Sequence, residues 1–463
     1  MKTRLAAVLA LAFALPLSAQ SPTPAALPAH RSLGEGGSLL AVSPPNRSNG
    51  LALDDCLKLA AGQHPALSAA QAGVSAARES VGEAQAPYYP SLDLNAGYHR
   101  WQRRAYLPSG LTIPGRTIPD IIGPLDDWNG GIASRVTLFD FGERRAGLDA
   151  AVARRAGAEA DASAMQADVR LTVQSAFYSL AAAQELQAVA GKNLARTEAH
   201  QRLALARRES GAVPQADVLR MDAEVANARL QLINADSRVR VATGRLNTAM
   251  GRAAEMPLAI AATAAAAPPP VRAELDAAAA RALAQRPEVT SGEKRTEAAR
   301  AAVTAAQAAW APKLRADAAF GWRDTTFLPD TREWQAGLSV DFPLFDAGTR
   351  VHRLARSKAE LAREEAAFEN RRLQIRDEVW GAATELERAW AAIAANETGV
   401  RASEESLRVV RERYQGGAAI ITDLLDTQTA LARAESSLAK SRWSYLAARA
   451  AFDRAVGAAT PRR

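Results

Sequence analysis

Among the residues able to do chemistry, three carboxylates placed just after turns stand out. Asp217 follows Gly211, and Asp423 and Asp426 follow Gly416-Gly417, where an acidic side chain can cap the helix that leaves the turn. Nothing near them completes a catalytic set. His30, His64, His99, His200 and His352 are scattered, with no spacing suited to a shared metal. Gly34-Glu35-Gly36-Gly37 lies in a Pro-, Gly- and Ser-rich leader and follows no strand, so it is not a phosphate loop. No Ser-His-Asp arrangement appears. The expectation is a chain with no catalytic residues, no cofactor and no metal site, and not an enzyme.

The elements that must carry those turns come from a duplication. His64-Pro65 recurs as Arg286-Pro287, and Tyr89-Pro90-Ser91-Leu92 as Ala311-Pro312-Lys313-Leu314, both at a spacing of 222. Leu138-Phe139-Asp140-Phe141-Gly142 recurs as Leu344-Phe345-Asp346-Ala347-Gly348 at a spacing of 206, which also pairs Gly211 with Gly417 and Asp217 with Asp423. The change of register falls in one loop, where added length costs little. The chain therefore divides into a first repeat over 51–256, an Ala- and Pro-rich linker over 257–271, a second repeat over 272–457 and a short tail over 458–463.

Before the repeats, Lys2 and Arg4 precede an apolar run from Leu5 to Leu15 and a small-residue cleavage site at Ala19. Residues 1–19 read as a signal peptide and 20–50 as a poorly ordered leader. Gln20 stands where a lipidated cysteine would be needed, so no lipid anchor is expected. No other run reaches 18 apolar residues, which leaves no transmembrane helix. One cysteine, Cys56, excludes an internal disulfide and has no evident role. The 57 basic and 50 acidic residues are interspersed, as on solvated helix faces, so nucleic acid is not an expected partner.

Each repeat reads helix, strand, loop, strand, very long helix, tight turn, helix. The hairpins fall at 91–140 and 313–345. In the second, Leu314, Ala316, Ala318, Phe320 and Trp322, then Trp334, Ala336, Leu338, Val340 and Phe342, alternate with polar residues. Such strands suit a transmembrane barrel, with Trp128, Trp322 and Trp334 as interfacial aromatics against outer-membrane lipid. A soluble sandwich is the competing reading. Four strands cannot close a barrel, so the chain must oligomerise, as a dimer of 8 strands or a trimer of 12.

The helix from Glu143 to Ser210 would run roughly 100 Å. It is flanked by shorter helices over Leu53–Ala86 and Ala216–Met250. In the second repeat Ile375, Val379, Ala382, Leu386, Ala389, Ile393, Asn396, Val400, Ser403, Leu407, Val410 and Tyr414 step by four and three, a coiled-coil seam. Val169, Val173, Ala176, Leu180 and Ala183 repeat it in part.

With its LFDFG and LFDAG turns, its two tips GAVPQADVL (Gly211 to Leu219) and GAAIITDLLD (Gly417 to Asp426), and its NTAMG ending (Asn247 to Gly251), the chain resembles the TolC-like outer-membrane efflux proteins, also called outer membrane factors, over nearly its whole mature length. The resemblance implies a mainly α fold with a transmembrane β-barrel: a homotrimer with a 12-stranded barrel in the outer membrane of a Gram-negative bacterium, above 12 helical columns that form a periplasmic tunnel. It implies a passive exit duct of a multidrug efflux pump or a type I secretion system, docked to a periplasmic adaptor and through it to an inner-membrane pump. It makes Asp423 and Asp426 the periplasmic constriction, gathered into rings by symmetry, with Asp217 and Tyr414 beside them. Helix capping is the competing role for the aspartates and the favoured one for Asp217; Tyr414 either bonds across helices or ends the seam. Gly211, Val213, Leu219, Gly417, Leu424 and Leu425 would form the tip turns and the adaptor-docking surface. Pro214 and Ile420 stand where the family commonly has a small polar residue, which alters adaptor preference, and the long, Pro-rich loop 103–127 could cap the outer mouth. A coiled-coil spacer or adaptor without a pore is the main alternative, and a helical pore-forming toxin a weaker one. Cargo is not readable from the chain.

Overall fold

The computed structural model describes residues 50–103, 105–106, 112–113, 116–117, 121–122, 125–261 and 275–458. The expected signal peptide, the leader before Gly50, the linker beyond residue 261 and the tail after Ala458 lie outside the described residues. The chain forms two units.

One unit is a β-sheet built from Ala86–Phe141 and Trp310–Leu344. Strands β1 (Ser91–Trp101), β6 (Leu125–Phe139), β7 (Lys313–Asp324) and β8 (Arg332–Asp341) form one antiparallel sheet in the order β1-β6-β7-β8. The hairpins of the two repeats are thus joined edge to edge through β6 and β7. Four further two-residue strands lie in the long first loop: β2 (Ala105–Tyr106) pairs with β5 (Ile121–Ile122), and β3 (Thr112–Ile113) with β4 (Arg116–Thr117). The sequence shows that segment as loop alone, because each strand is too short to show a period.

Register fixes the two faces of the sheet. Leu94 pairs with Ile132, Ile132 with Phe320, and Phe320 with Trp334. Leu92, Leu94, Ile132, Phe320, Trp334, Leu338 and Val340 therefore share one face, and all are exposed in the single chain. The other face carries Asp93, Asn95, Asp127, Arg135, Arg315, Arg323 and Asp341, with ion pairs from Arg323 to Asp127 at 2.7 Å and from Arg315 to Asp341 at 2.9 Å. Where the repeats join, Gly131 faces Gly321 on the polar side, and a Cβ built on Gly131 would come 2.7 Å from the Gly321 Cα.

The other unit is helical. It comprises α1 (Leu53–Gln63), α2 (Pro65–Gln85), α3 (Glu143–Glu209), α4 (Gln215–Ala249), α5 (Leu275–Gln285), α6 (Pro287–Ala308), α7 (Thr349–Gln415) and α8 (Ile421–Ala455). An offset of 206 carries α3 onto α7 and α4 onto α8 at both ends, so the duplication holds to the residue. The leading helix expected over Leu53–Ala86 is broken. His64 is extended (φ −71°, ψ 122°), as is Arg286 in the second repeat, because each precedes a proline that disfavours helical geometry. The long helices start from strained turns. Phe141 and Gly142 both have positive φ (52° and 92°), as do Ala347 and Gly348 (53° and 84°).

The expected seam is the packing line. Ile375, Val379, Leu386, Ala389, Leu407 and Tyr414 are buried along α7, and Val169, Val173, Leu180 and Ala183 along α3, joined by Phe177, which the seam pattern had not included. Cys56 packs with Val173, Leu180, Leu246 and Met250. Burial, aided by Asp55, pushes its thiol up to about 11, so Cys56 is a small core side chain and not a nucleophile.

Charged side chains hold the second repeat to the first. Glu288 accepts from Arg286 at 2.9 Å and Arg454 at 2.5 Å, and Arg454 also binds Asp168 of α3 at 2.7 Å. Burial alone would raise the Glu288 carboxyl, but its bonds to Arg286 and Arg454 outweigh this and hold it at about 2. Farther along α3, Glu185 accepts from the Trp443 indole at 2.5 Å and Arg196 binds Glu435 at 2.5 Å.

Candidate constriction and helical tips

Both long helices end in the same backbone device. At the first tip, Gly211 (φ 75°) donates to the Arg208 carbonyl at 2.9 Å and Ala212 to that of Arg207 at 2.8 Å. At the second, Gly417 (φ 77°) donates to Tyr414 at 3.1 Å and Ala418 to Arg413 at 2.7 Å. These are Schellman caps, which require a residue in the left-handed region and so favour glycine. Gly211 and Gly417 are turn residues, as expected.

The carboxylates are placed differently from the capping expectation. The N-caps of α4 and α8 are Pro214 and Ile420, and neither makes a side-chain cap bond. Asp217 and Asp423 are each the third helical residue and add only the favourable interaction of an acid with the first turn. Side-chain capping is therefore set aside for all three aspartates, since Asp426 lies deeper still. Asp423 and Asp426 are exposed, three residues apart on one face of α8, and neither forms an ion pair among the described residues. Asp217 is half-buried.

Opposite that face, Leu424 is fully buried with Met221, Ala204, Ile421, Leu407 and Tyr414. Leu424 is core, which corrects its assignment to a docking surface. Leu219 is exposed, and Val213 and Leu425 are half-buried.

Tyr414 is buried at the end of the seam. The Arg207 guanidinium of α3 lies 4.9 Å from its ring centroid and donates to its carbonyl oxygen, tying the first hairpin to the second. The Tyr414 hydroxyl meets no hydrogen-bond partner among the described residues. Burial raises its pKa, opposed by Arg207. Arg207 was not among the expected residues; its pairing with Tyr414 joins positions 207 apart in the chain, which no local pattern reveals.

Beside the tips, a groove of about 570 Å³ runs between α4 and α8 over α3. Asn193, Thr197, Leu425 and Gln428 line it, with Arg238, Arg433 and Lys440 along its sides. Gln428 is buried and donates to Thr197 at 2.5 Å, while its Oε1 has no partner among the described residues.

On the sheet, Trp128 packs against Tyr98 (4.3 Å between centroids) and Phe327 (5.0 Å), and Trp322 against Phe320 (5.3 Å). Register places Trp128, Trp322 and Trp334 on the apolar face near the hairpin end. Tyr98 and Phe327 complete the aromatic cluster. Among the described residues no group of acidic, histidine or cysteine side chains could hold a metal ion.

A duplicated helical unit joined to a sheet with one lipid-compatible face is specific enough to compare with known proteins, and the outer membrane efflux protein model matches residues 56–252 and 278–458. The chain belongs to the outer membrane efflux protein family. It is 30% identical over 414 residues to Protein CyaE of Bordetella pertussis, covering 85% of this chain and 82% of that one. It is 26% identical over 423 residues to the pyoverdine export outer membrane protein OpmQ of Pseudomonas aeruginosa, covering 88% and 85%. In fold it matches the outer-membrane channel OprN with a TM-score of 0.76 at 22% identity, over 88% of this chain and 89% of that chain. Efflux proteins of this family are transport channels of the outer membrane that extend into the periplasm, and this chain is one of them. The pore-free spacer reading is set aside.

Proposed function

We propose that the chain is one third of a homotrimeric exit duct, serving an efflux pump or a type I secretion system, whose periplasmic end is narrowed by Asp423 and Asp426. The observation that carries this reading is the pairing of an open-edged sheet, apolar and exposed on one face, with two unpaired carboxylates on one exposed face at the helical tip. In lipid the unpaired edges of β1 and β8 must find partners, and three copies close a 12-stranded barrel. Threefold symmetry then repeats each aspartate around one axis, where carboxylates repel one another and attract cations. The groove between α4 and α8, with its basic sides, and the exposed Leu219 suit the helical hairpin of a periplasmic adaptor, through which an inner-membrane pump supplies the energy. OpmQ is named for pyoverdine export; cargo for the present duct is set by its pump.

Single-channel conductance in planar bilayers tests the constriction. Small, cation-selective steps that enlarge in Asp423→Ala/Asp426→Ala support it. Steps unchanged by the substitutions place the narrowing elsewhere, and no steps from folded, inserted wild type overturn the duct.

A further inference from the structure

The apolar face of the sheet ends, on the side of the hairpin turns, in an unpaired cation. Across the register, Ala96 pairs with Gly130, Gly130 with Trp322, and Trp322 with Arg332. Arg332 is exposed, with Trp322 directly opposite and the 75% exposed Trp334 two residues along its own strand. It forms no ion pair among the described residues: Asp324, two residues beyond Trp322 on the same face, accepts instead from the Thr325 N–H at 2.6 Å and the Thr331 hydroxyl at 3.4 Å. The other arginine on this face, Arg100, binds Asp126 at 2.9 Å, and the Tyr98 hydroxyl donates to the same carboxylate at 2.9 Å.

Barrel closure does not supply the missing counter-charge. β8 is an edge strand, and the strand that a second copy would lay against it is β1. On this face β1 presents Leu92, Leu94, Ala96, Tyr98 and Arg100, with no acid among them. A guanidinium at the margin of a hydrocarbon layer is costly without an anion.

The level of Arg332 identifies the anion. From Val340 to Arg332 the strand rises about 27 Å, or about 20 Å once tilted, close to the ~25 Å apolar band of outer-membrane barrels. The aromatic cluster of Tyr98, Trp128, Trp322 and Trp334 marks this end of the band as an interface. Here the strands run into hairpin turns, whereas their other ends lead to the helices of the periplasmic part. The Arg332 end therefore meets the outer leaflet, whose lipid carries phosphorylated sugars. A guanidinium pairs with phosphate through two parallel N–H bonds, and the exposed Trp334 indole, with the half-buried Trp322 beside it, gives a sugar ring a flat apolar surface.

We infer that Arg332, Trp322 and Trp334 form a lipid-facing site for the phosphorylated sugar headgroup of the outer-leaflet glycolipid, an inference that rests on the membrane-duct reading above. Native mass spectrometry of the purified channel titrated with bisphosphorylated lipid A tests it. Arg332→Gln is expected to weaken binding roughly tenfold, the loss of one charge-assisted pair, with Arg332→Lys intermediate. Trp334→Ala should weaken binding as well, and exposed Arg353→Gln on α7 should leave it unchanged. Dephosphorylated lipid A should bind wild type and Arg332→Gln alike, and inorganic phosphate at the lipid's concentration should displace nothing. Equal binding of the phosphorylated lipid by wild type and Arg332→Gln overturns the site, and displacement by inorganic phosphate reduces it to a free-anion site. Planar-bilayer steps from the same preparations separate the two failures. A conducting channel whose lipid binding ignores Arg332 loses only this site, and protein that binds lipid through Arg332 without conducting loses the duct.

Discussion

Arg207 and Tyr414 close the tips of the two hairpins on each other: the guanidinium stands 4.9 Å from the ring centroid and donates to the carbonyl that also caps α7. The contact combines a cation–π interaction with a charged hydrogen bond, together worth roughly 1–3 kcal/mol. Arg207→Ala is expected to loosen the second hairpin and enlarge the conductance steps. Arg208→Ala, one residue away, serves as the control. Steps of wild-type size in Arg207→Ala would show that this contact does not restrain the tip.

Leu424 separates packing from docking at the same tip. It is fully buried, so Leu424→Ala should leave a cavity and cost about 2–5 kcal/mol locally, read as faster protease cleavage near residues 416–420. Leu219→Ala, on the exposed surface, should leave cleavage unchanged and weaken capture of the adaptor.

Glu288 gives the helical unit an acid-sensitive clasp. Its folded pKa of about 2 lies below the ordinary 4.5, so its contribution is complete above about pH 4.5 and is lost as pH falls towards 2. Glu288→Gln leaves Arg286 and Arg454 buried with a weaker partner, a loss of about 3 kcal/mol at neutral pH. Urea denaturation should show the gap between wild type and Glu288→Gln shrinking from pH 5 to pH 2.5. A gap independent of pH would mean that the carboxylate charge plays no part.

Where the repeats join in the sheet, a side chain has no room. A Cβ on Gly321 would meet the Gly130 carbonyl oxygen at 2.5 Å and the Gly131 Cα at 2.9 Å, both backbone atoms that cannot swing aside. Gly321→Val should therefore separate β6 from β7, and heated samples on gels should lose the band of the proposed trimer at a lower temperature than wild type. Gly130→Ala, at a position with open space, should not.

What the sequence disclosed follows from what repeats along it. The spacing of 206 between LFDFG and LFDAG, and the four–three stepping from Ile375 to Tyr414, are local and periodic, and the helices and seam follow them closely. The break at His64 is masked by helical neighbours on both sides, although Pro65 carries the signal. The roles of Leu424 and of the aspartates depend on which face of α8 turns inward, which spacing narrows but packing decides. Arg207 with Tyr414, Glu288 with Arg454, and Glu185 with Trp443 join residues between 166 and 258 positions apart, and nothing in their local surroundings distinguishes them from other charged helix residues.

The agreement of the repeats at an offset of 206 makes their disagreements informative. The offset equates Asp217 with Asp423, but it sets Arg220 against Asp426 and Arg208 against Tyr414. Six identical subunits in a ring would have to alter every tip whenever one changed. In the proposed trimer, a fused pair assembled three times escapes that constraint: three tips are free to mutate towards the proposed constriction while the alternate three keep a separate role.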